Sequence, residues 1–539
     1  MPTLNWMGKE KVVNHYRDVP YRVLERVPEK GVLDSRGSDC GNMIIHGDNL
    51  EALKSLLPEY EGKVDCIYID PPYNTGNEGW VYNDNVNDPR IKKWLGQVVG
   101  KESEDFSRHD KWLCMMYPRL QLLRKLLAPT GAIFISIDDN EYANLKLVCD
   151  EIFGTTNFRS DVIWQKRYTR SNNTVDFTNV TEHVLVYSKS AEFNVNLLPR
   201  NEETDKSYTN PDNDPRGPWM TSSFVNPATK EARPGLVYEI EAPDGRIVTH
   251  PTHAWKQSRE NYERLRDEGR FWWGLDGNAK YPRLKQYLSE ARGLTPINLW
   301  THEYAGNTDM GGNELKEIIG AKVFDYPKPS LLIRRVLEHA TNSNSLVLDA
   351  FGGSGTTGQA VIQQNAIDGG NRRFILIELS DYVDTVTAER VRRVISGYGE
   401  GKNAVAGIDS GFSYYELGPA LFDVEEPPIA SRSASPTISL NADAPVEAVR
   451  RYVWHTETRS GYVDRTGECP WLLGEHAQTA YYLVYSPGEE TVLDYGLLKV
   501  LPVKGSPTVV YANRCILSTG QLEAAGLVFK QIPSQIARM

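Results

Sequence analysis

The sequence predicts an α/β protein, and three observations predict it. Short apolar runs of strand composition, among them Val64–Ile69, Ala132–Ile137, Leu346–Leu348 and Phe374–Ile377, alternate with stretches of helical spacing such as Leu113–Leu127. Several of these runs stop at an acid: Asp70, Asp138, Asp349 and Glu378. Open α/β sheets bind ligands at the carboxyl ends of their strands, so acids in those positions point to one binding edge. The last hundred residues break the pattern. Short strands at Ala480–Tyr485 and Thr508–Tyr511, mixed with helices, predict a small α+β module without a chemical motif of its own.

Composition narrows the class. The 539 residues suffice for about three to four domains, and 40% hydrophobic content is ordinary for a globular protein. No run approaches the ~20 apolar residues of a membrane span, and the N-terminus lacks a signal peptide's basic end and apolar centre. The 6 cysteines are scattered without a C-x-x-C pair, which predicts a reducing cytoplasm and neither disulfides nor a zinc site. His250 and His253 read as a turn. The net charge of −11 leaves nucleic-acid binding open, because only the surface that meets phosphate must be basic.

In chain order, residues 1–40 form an arm with a short helix near 10–27. Met43–His46 is a strand stopping at Gly47, and Asp48 or Asn49 caps a helix Leu50–Leu57. The strand Val64–Ile69 then ends in Asp70-Pro71-Pro72-Tyr73. Two prolines stiffen this exit, and a carboxylate with rigid carbonyls beside an aromatic face can hold a flat ring bearing an amino group. Residues 74–89 form a loop able to close over such a ring, followed by a basic and aromatic patch that includes Trp94, Arg108, His109 and Trp112. Asp138 and Asp139 cap a helix Tyr142–Phe153.

Strands Val162–Trp164 and His183–Tyr187 flank a basic loop whose Lys166, Arg167 and Arg170 suit phosphate and base-edge contacts. From 190 to 322 periodicity weakens, and Arg270, Trp272 and Trp273 mark a basic stretch interleaved with aromatics. Lys328 and Ser330 stand at the start of a helix Ile333–Ala340, where a carboxylate is favoured. The turn Asp349-Ala350-Phe351-Gly352-Gly353-Ser354-Gly355-Thr356 lets backbone approach a ligand, and Glu378 is placed to take two ribose hydroxyls. A helix Tyr382–Ile395 follows, and 425–441 reads as a linker.

Asp70–Tyr73 resembles the D/N/S-P-P-Y/F/W motif of amino-methylating DNA methyltransferases, and Asp349–Gly355 resembles their D-x-F-x-G-x-G cofactor motif. Over residues 40–420 the motif order is that of the β class. Gly47–Leu50, Asp70–Gly76, Trp112–Leu120 and Ile135–Asp139 look most like the modification (Mod) subunits of type III restriction-modification systems. The resemblance implies a Rossmann-like, S-adenosyl-L-methionine-dependent methyltransferase sheet with an inserted target-recognition domain. It implies catalysis by Asp70, Pro71, Pro72 and Tyr73. Cofactor contacts fall to Asp48, Lys328, Ser330, Asp349, Phe351, Gly353, Gly355, Thr356 and Glu378.

The organisation then reads as an arm (1–40), a catalytic half (41–189), a target-recognition insert (190–322), a cofactor half (323–424), the linker (425–441) and the C-terminal module (442–539). The implied activity is methylation of adenine N6 in double-stranded DNA, by a homodimer in a prokaryotic cytoplasm. Many members work with a separate helicase-nuclease restriction subunit; a solitary methyltransferase remains an alternative. Cytosine N4 and RNA stay open as substrates. Gly353–Gly358 also fits the G-x-G-x-x-G of nicotinamide-dinucleotide enzymes, but Asp70–Tyr73 has no role in hydride transfer. The cytosine-C5 reaction needs a Pro-Cys nucleophile, and the chain offers only the reversed pair Cys469-Pro470. No phosphate-binding G-x-x-x-x-G-K-[ST] occurs.

Overall fold

A computed structural model describes residues 3–75, 93, 96–98, 108–170, 176–425, 437–501 and 507–536. The apolar runs become strands of one ten-stranded sheet. In chain order these are β1 (Arg22–Arg26), β2 (Met43–His46), β3 (Val64–Ile69), β4 (Leu127–Ile137), β5 (Phe158–Gln165), β6 (Thr181–Ser188), β7 (Leu299–Trp300), β8 (Leu346–Asp349), β9 (Arg373–Glu378) and β10 (Ser413–Ala420). Their spatial order is β1-β10-β2-β9-β8-β3-β4-β6-β5-β7. The run from β10 to β4 is parallel throughout, while β1 and β6 are antiparallel to their neighbours. The central strands β2, β9, β8 and β3 are buried between helix-covered faces, which is why they read as continuous apolar runs.

The chain order creates a switch point. From β3 the chain crosses through the helix Arg108–Leu126 to β4 on one side. From β8 it crosses through Thr356–Asp368 to β9 on the other side. β3 and β8 are themselves neighbours, with Val347 opposite Cys66 and Leu348 opposite Ile67. Departing connections that diverge in this way leave a crevice at the carboxyl ends of the two strands.

Several local expectations are corrected. Residues 22–26 are not part of a helix near 10–27; they form β1, paired with β10, and only Lys9–Val12 and His15–Asp18 are helical. The helix expected over 382–395 opens with a wide π turn, Val383–Ala388, before Glu389–Ser396. The expected linker is paired at both ends, Phe422 with Leu440 and Glu425 with Thr437, while 426–436 lie outside the described residues.

The chain divides into two compact units, 196–296 and the remainder. The smaller unit is narrower than the expected insert, because β7 and the helices His302–Ala305 and Thr308–Ile319 belong to the larger one. Its three-stranded antiparallel sheet, Trp219–Ser223, Arg283–Tyr287 and Phe271–Trp272, packs near an aromatic cluster of Phe224, Trp255, Tyr262 and Trp273. The C-terminal segment has a four-stranded sheet and the helix Val446–Thr458. It shares a core with Val23 and Leu421 and falls in the same compact unit as the large sheet.

Candidate active site

β3 carries Cys66–Ile69 through the sheet core and releases the chain at Asp70, where two prolines prevent further pairing. The turn is gripped from behind. The indole Nε1 of Trp112 donates to the Pro72 carbonyl at 2.6 Å, and the ring is fully buried. Asn74 adopts the left-handed region at φ 58°, and its amide donates to the buried carboxylate of Glu141. The ring Nδ1 of His109 lies 2.7 Å from the same carboxylate.

In front of the turn lies a cluster of opposite charges. Lys328 Nζ donates to both oxygens of Asp70 at 2.7 Å and to the Tyr73 hydroxyl at 2.8 Å. The Tyr73 hydroxyl has two acceptors within reach, Asp70 Oδ1 at 2.9 Å and Glu182 Oε2 at 3.1 Å. Glu182 Oε2 is also 3.7 Å from Lys328 Nζ, while Glu182 Oε1 accepts from Lys166 Nζ at 3.0 Å. Burial pushes the Asp70 carboxyl above the usual aspartate range, although Lys328 pulls it down. Burial acts on Glu182 in the same sense, but Lys328 and Lys166 outweigh it and hold that carboxyl below the glutamate range. A cavity of about 190 Å³ opens onto this cluster, lined by Asp70, Pro71, Tyr73, Asp138, Trp164, Lys166, Arg167, Glu182 and Lys328 among others.

One strand away, β8 ends at Asp349 and turns through glycines. Gly353 and Gly355 sit at φ 49° and 80°. A Cβ on Gly355 would lie 2.6 Å from the Thr387 carbonyl oxygen, so the turn packs directly on the π segment. The Thr387 hydroxyl donates to the Gly353 carbonyl, which ties the two together. Asp349 accepts from the Phe351 amide and the Thr357 hydroxyl. Burial, opposed by those two bonds, raises its carboxyl to about 7. Glu378 accepts from the amides of Gly353 at 2.8 Å and Ser380 at 2.9 Å.

The structure therefore brings Asp70, Pro71, Tyr73 and Lys328 to one cavity, and places Asp349, Phe351, Gly353, Gly355, Thr356 and Glu378 around the neighbouring turn. Asp48 caps the helix Asn49–Tyr60 through the Leu50 amide and meets Arg119 at 3.2 Å. The Ser330 hydroxyl and amide are held by Glu314, and the fully buried Arg390 joins Glu314, Gln359, Ser354 and Thr356 behind the glycine turn. Lys328 bonds Asp70 and the Tyr73 hydroxyl.

Among the residues expected to meet DNA, Arg167 and Arg170 are exposed and Lys166 is bound to Glu182. In the other unit, Arg270 forms ion pairs with Glu268 and Glu290. Trp272 is half-buried, and Trp273 belongs to the aromatic core, where its ring stabilises the unit by packing. Trp112, part of the basic and aromatic patch in the sequence, lies in the core. Most of the loop expected over 74–89 lies outside the described residues.

Sequence reasoning missed Glu182. The signal was present: in β6 it alternates with Val184 and Val186, both buried, so an acid stands on an apolar face.

Fold and site together define an α/β protein with two strand-end turns side by side at one switch point. A family model described as DNA methylase, of the N6/N4 methyltransferase type, matches residues 64–389, from the strand before Asp70 to beyond Glu378. The chain belongs to this DNA methylase family. The Mod subunit of the type III restriction-modification enzyme StyLTI from Salmonella typhimurium is 36% identical over 443 residues, covering 77% of this chain and 66% of that one. The EcoPI Mod subunit of Escherichia phage P1 is 31% identical, covering 71% and 64%. The chain thus spans about two thirds of the length of these relatives. Among solved structures, a DNA modification methylase from Thermus thermophilus, determined with S-adenosyl-L-methionine, shares 15% identity and covers 70% of this chain and 99% of its own, at a TM-score of 0.32.

Proposed function

We propose that this chain is a site-specific DNA methyltransferase that moves a methyl group from S-adenosyl-L-methionine to adenine N6, as the modification subunit of a type III restriction-modification system. The observation that carries this reading is the Asp70–Tyr73 turn beside the glycine turn at the β3–β8 switch point. The names of the relatives, type III Mod subunits, support the subgroup. Double-stranded DNA is the substrate, a second copy of the chain and a separate restriction subunit are its partners, and 196–296 serves target recognition.

The residues at the second turn fit S-adenosyl-L-methionine. Glu378 is oriented by two backbone amides and keeps lone pairs for two ribose hydroxyls. The left-handed glycines leave room for close backbone approach. When bound, this cofactor supplies a methyl group activated by a sulfonium. An adenine leaves the base stack and enters the cavity. Tyr73 stacks on it. Asp70 and the Pro71 carbonyl accept hydrogen bonds from the exocyclic amine and orient its lone pair. Asp70 holds the proton that the amine gives up once it carries the methyl group. Orientation and fixed charge lower the barrier, with no covalent enzyme intermediate. Arg167 and Arg170, both exposed, serve as phosphate contacts in this reading.

The test is single-molecule sequencing of DNA from cells expressing the wild type or Asp70→Ala. N6-methyladenine in one short motif, absent with the variant although the purified variant still binds cofactor, is the expected result. Methylation by Asp70→Ala, N4-methylcytosine in its place, or no mark from the wild type would each overturn the assignment.

A further inference from the structure

The amine seat on Asp70 is filled before any base arrives. Lys328 Nζ binds both carboxylate oxygens, and its side chain is 11% exposed. An exocyclic amine can engage Asp70 only if this ammonium withdraws. A buried ammonium that loses its counter-ion is strongly destabilising, so it must withdraw onto another acid. Among the described residues, two carboxylates besides Asp70 line the cavity, Asp138 and Glu182. Asp138 is engaged by the amide and side chain of Asn140. Glu182 is built to receive: Lys166 holds Oε1, and Oε2 faces Lys328 at 3.7 Å and the Tyr73 hydroxyl at 3.1 Å.

We propose that Glu182 is a positioning residue that takes over the Lys328 ammonium when the target amine engages Asp70. Lys328 then acts as a place-holder for the amine, passed between two carboxylates that lie 2.7 and 3.7 Å from its ammonium. The Tyr73 hydroxyl, which has acceptors on both acids, can follow the exchange without losing its partner. The lysine remains paired in both states, so the seat is emptied without stranding a charge. Lys166 keeps Glu182 ionised and aimed while the exchange occurs. This inference rests on the methyltransferase reading and assigns a role to a residue that reading does not use.

The experiment is a double-mutant cycle on the full-length protein, with Glu182→Gln and Lys328→Met. Single-turnover methylation of a DNA duplex bearing the mapped site is read together with S-adenosyl-L-methionine affinity and thermal stability. Glu182→Gln keeps an acceptor for Tyr73 but removes the charge that Lys328 needs. Its single-turnover rate is expected to fall by about a hundredfold, with cofactor affinity and melting temperature near wild type. In the Lys328→Met background, which has no ammonium to relocate, turnover stays measurable and Glu182→Gln changes it by less than about threefold.

Wild-type turnover by Glu182→Gln would overturn the proposal, as it would if Lys328 passed instead to a cofactor carboxylate. Equal losses in both backgrounds, a parallel loss of cofactor affinity, or a Lys328→Met protein without turnover would also overturn it. In each of these cases wild-type methylation and an inactive Asp70→Ala leave the function standing. No methylation by the wild type overturns both.

Discussion

Two buried aspartates end neighbouring strands, and they are treated in opposite ways. Asp70 at the end of β3 has an ammonium on both oxygens; Asp349 at the end of β8 has a backbone amide and a hydroxyl. The turns that follow differ in the same sense. The Asp70 turn is held by side chains that arrive from far along the sequence: Trp112, Glu141, Lys328 and Glu182. The Asp349 turn packs against the backbone of the π segment and is held by Glu378 and Thr387, with glycines where a side chain would collide. One turn presents charge and the other presents space. A methyl-transferring enzyme needs both, an acceptor for the amine and a close-fitting cradle for a large cofactor.

If this contrast is right, adding bulk should damage the second turn most. Gly355→Val places a Cβ against the Thr387 carbonyl and forces a β-branched residue to φ 80°. Strain and overpacking together should cost about 2–5 kcal/mol. Chemical denaturation should show the loss, and cofactor binding should fail with it. A variant of wild-type stability that still bound cofactor would show that the turn is not defined by close approach.

At the first turn, removing one remote donor should spare the fold and cost turnover. Trp112→Phe keeps most of the buried ring and loses the bond to the Pro72 carbonyl. Leaving that buried acceptor unpaired should cost about 1–3 kcal/mol. The larger effect should be kinetic, a loss of about ten- to a hundredfold in single-turnover rate as Asp70 and Tyr73 drift from their positions. Cofactor affinity should stay near wild type. If affinity fell as far as the rate, the two turns would be coupled and the comparison would fail.

The contrast also explains what the sequence made legible. The strand, glycines and following helix of the second turn are written contiguously from Leu346 to Asp368. The strand into Asp70 and its two prolines were equally plain. The grip on that turn was not, because its partners lie 40 residues away at Trp112, a donor, and 109 away at Glu182, an acceptor. Trp112 read as part of a basic and aromatic patch because Arg108, His109 and Lys111 surround it in sequence; the helix buries the indole and leaves Arg108 exposed. β1 was missed for a related reason. Within Arg22–Arg26 only Val23 is buried, too little alternation to signal a strand whose stability comes from pairing with Ser413–Ala420. Lys328 and Ser330 read as cofactor ligands from the resemblance and from their place before a helix; their bonds to Asp70 and Glu314 were not legible, because no local pattern connects those two acids to that segment.

The smallest expected effect probes the acids themselves. Among the described residues no cation pairs with Asp349, and burial raises its carboxyl to about 7. The unfolded chain ionises at the ordinary value of about 4. A folded value above the unfolded one means the contribution is present in full below pH ~4 and is lost as pH rises toward ~7 and through it. Asp349→Asn has no proton to lose, and its amide can still pair with the Phe351 amide and the Thr357 hydroxyl. The stability of Asp349→Asn relative to wild type should therefore rise by about 1 kcal/mol between pH 6 and pH 8, measured without cofactor. The other ionisable groups titrate alike in the two proteins and cancel in the difference. A flat difference would mean that Asp349 is already charged at pH 6. It would then need a counter-charge, and the distinction between an acid balanced by Lys328 and one left to burial would disappear.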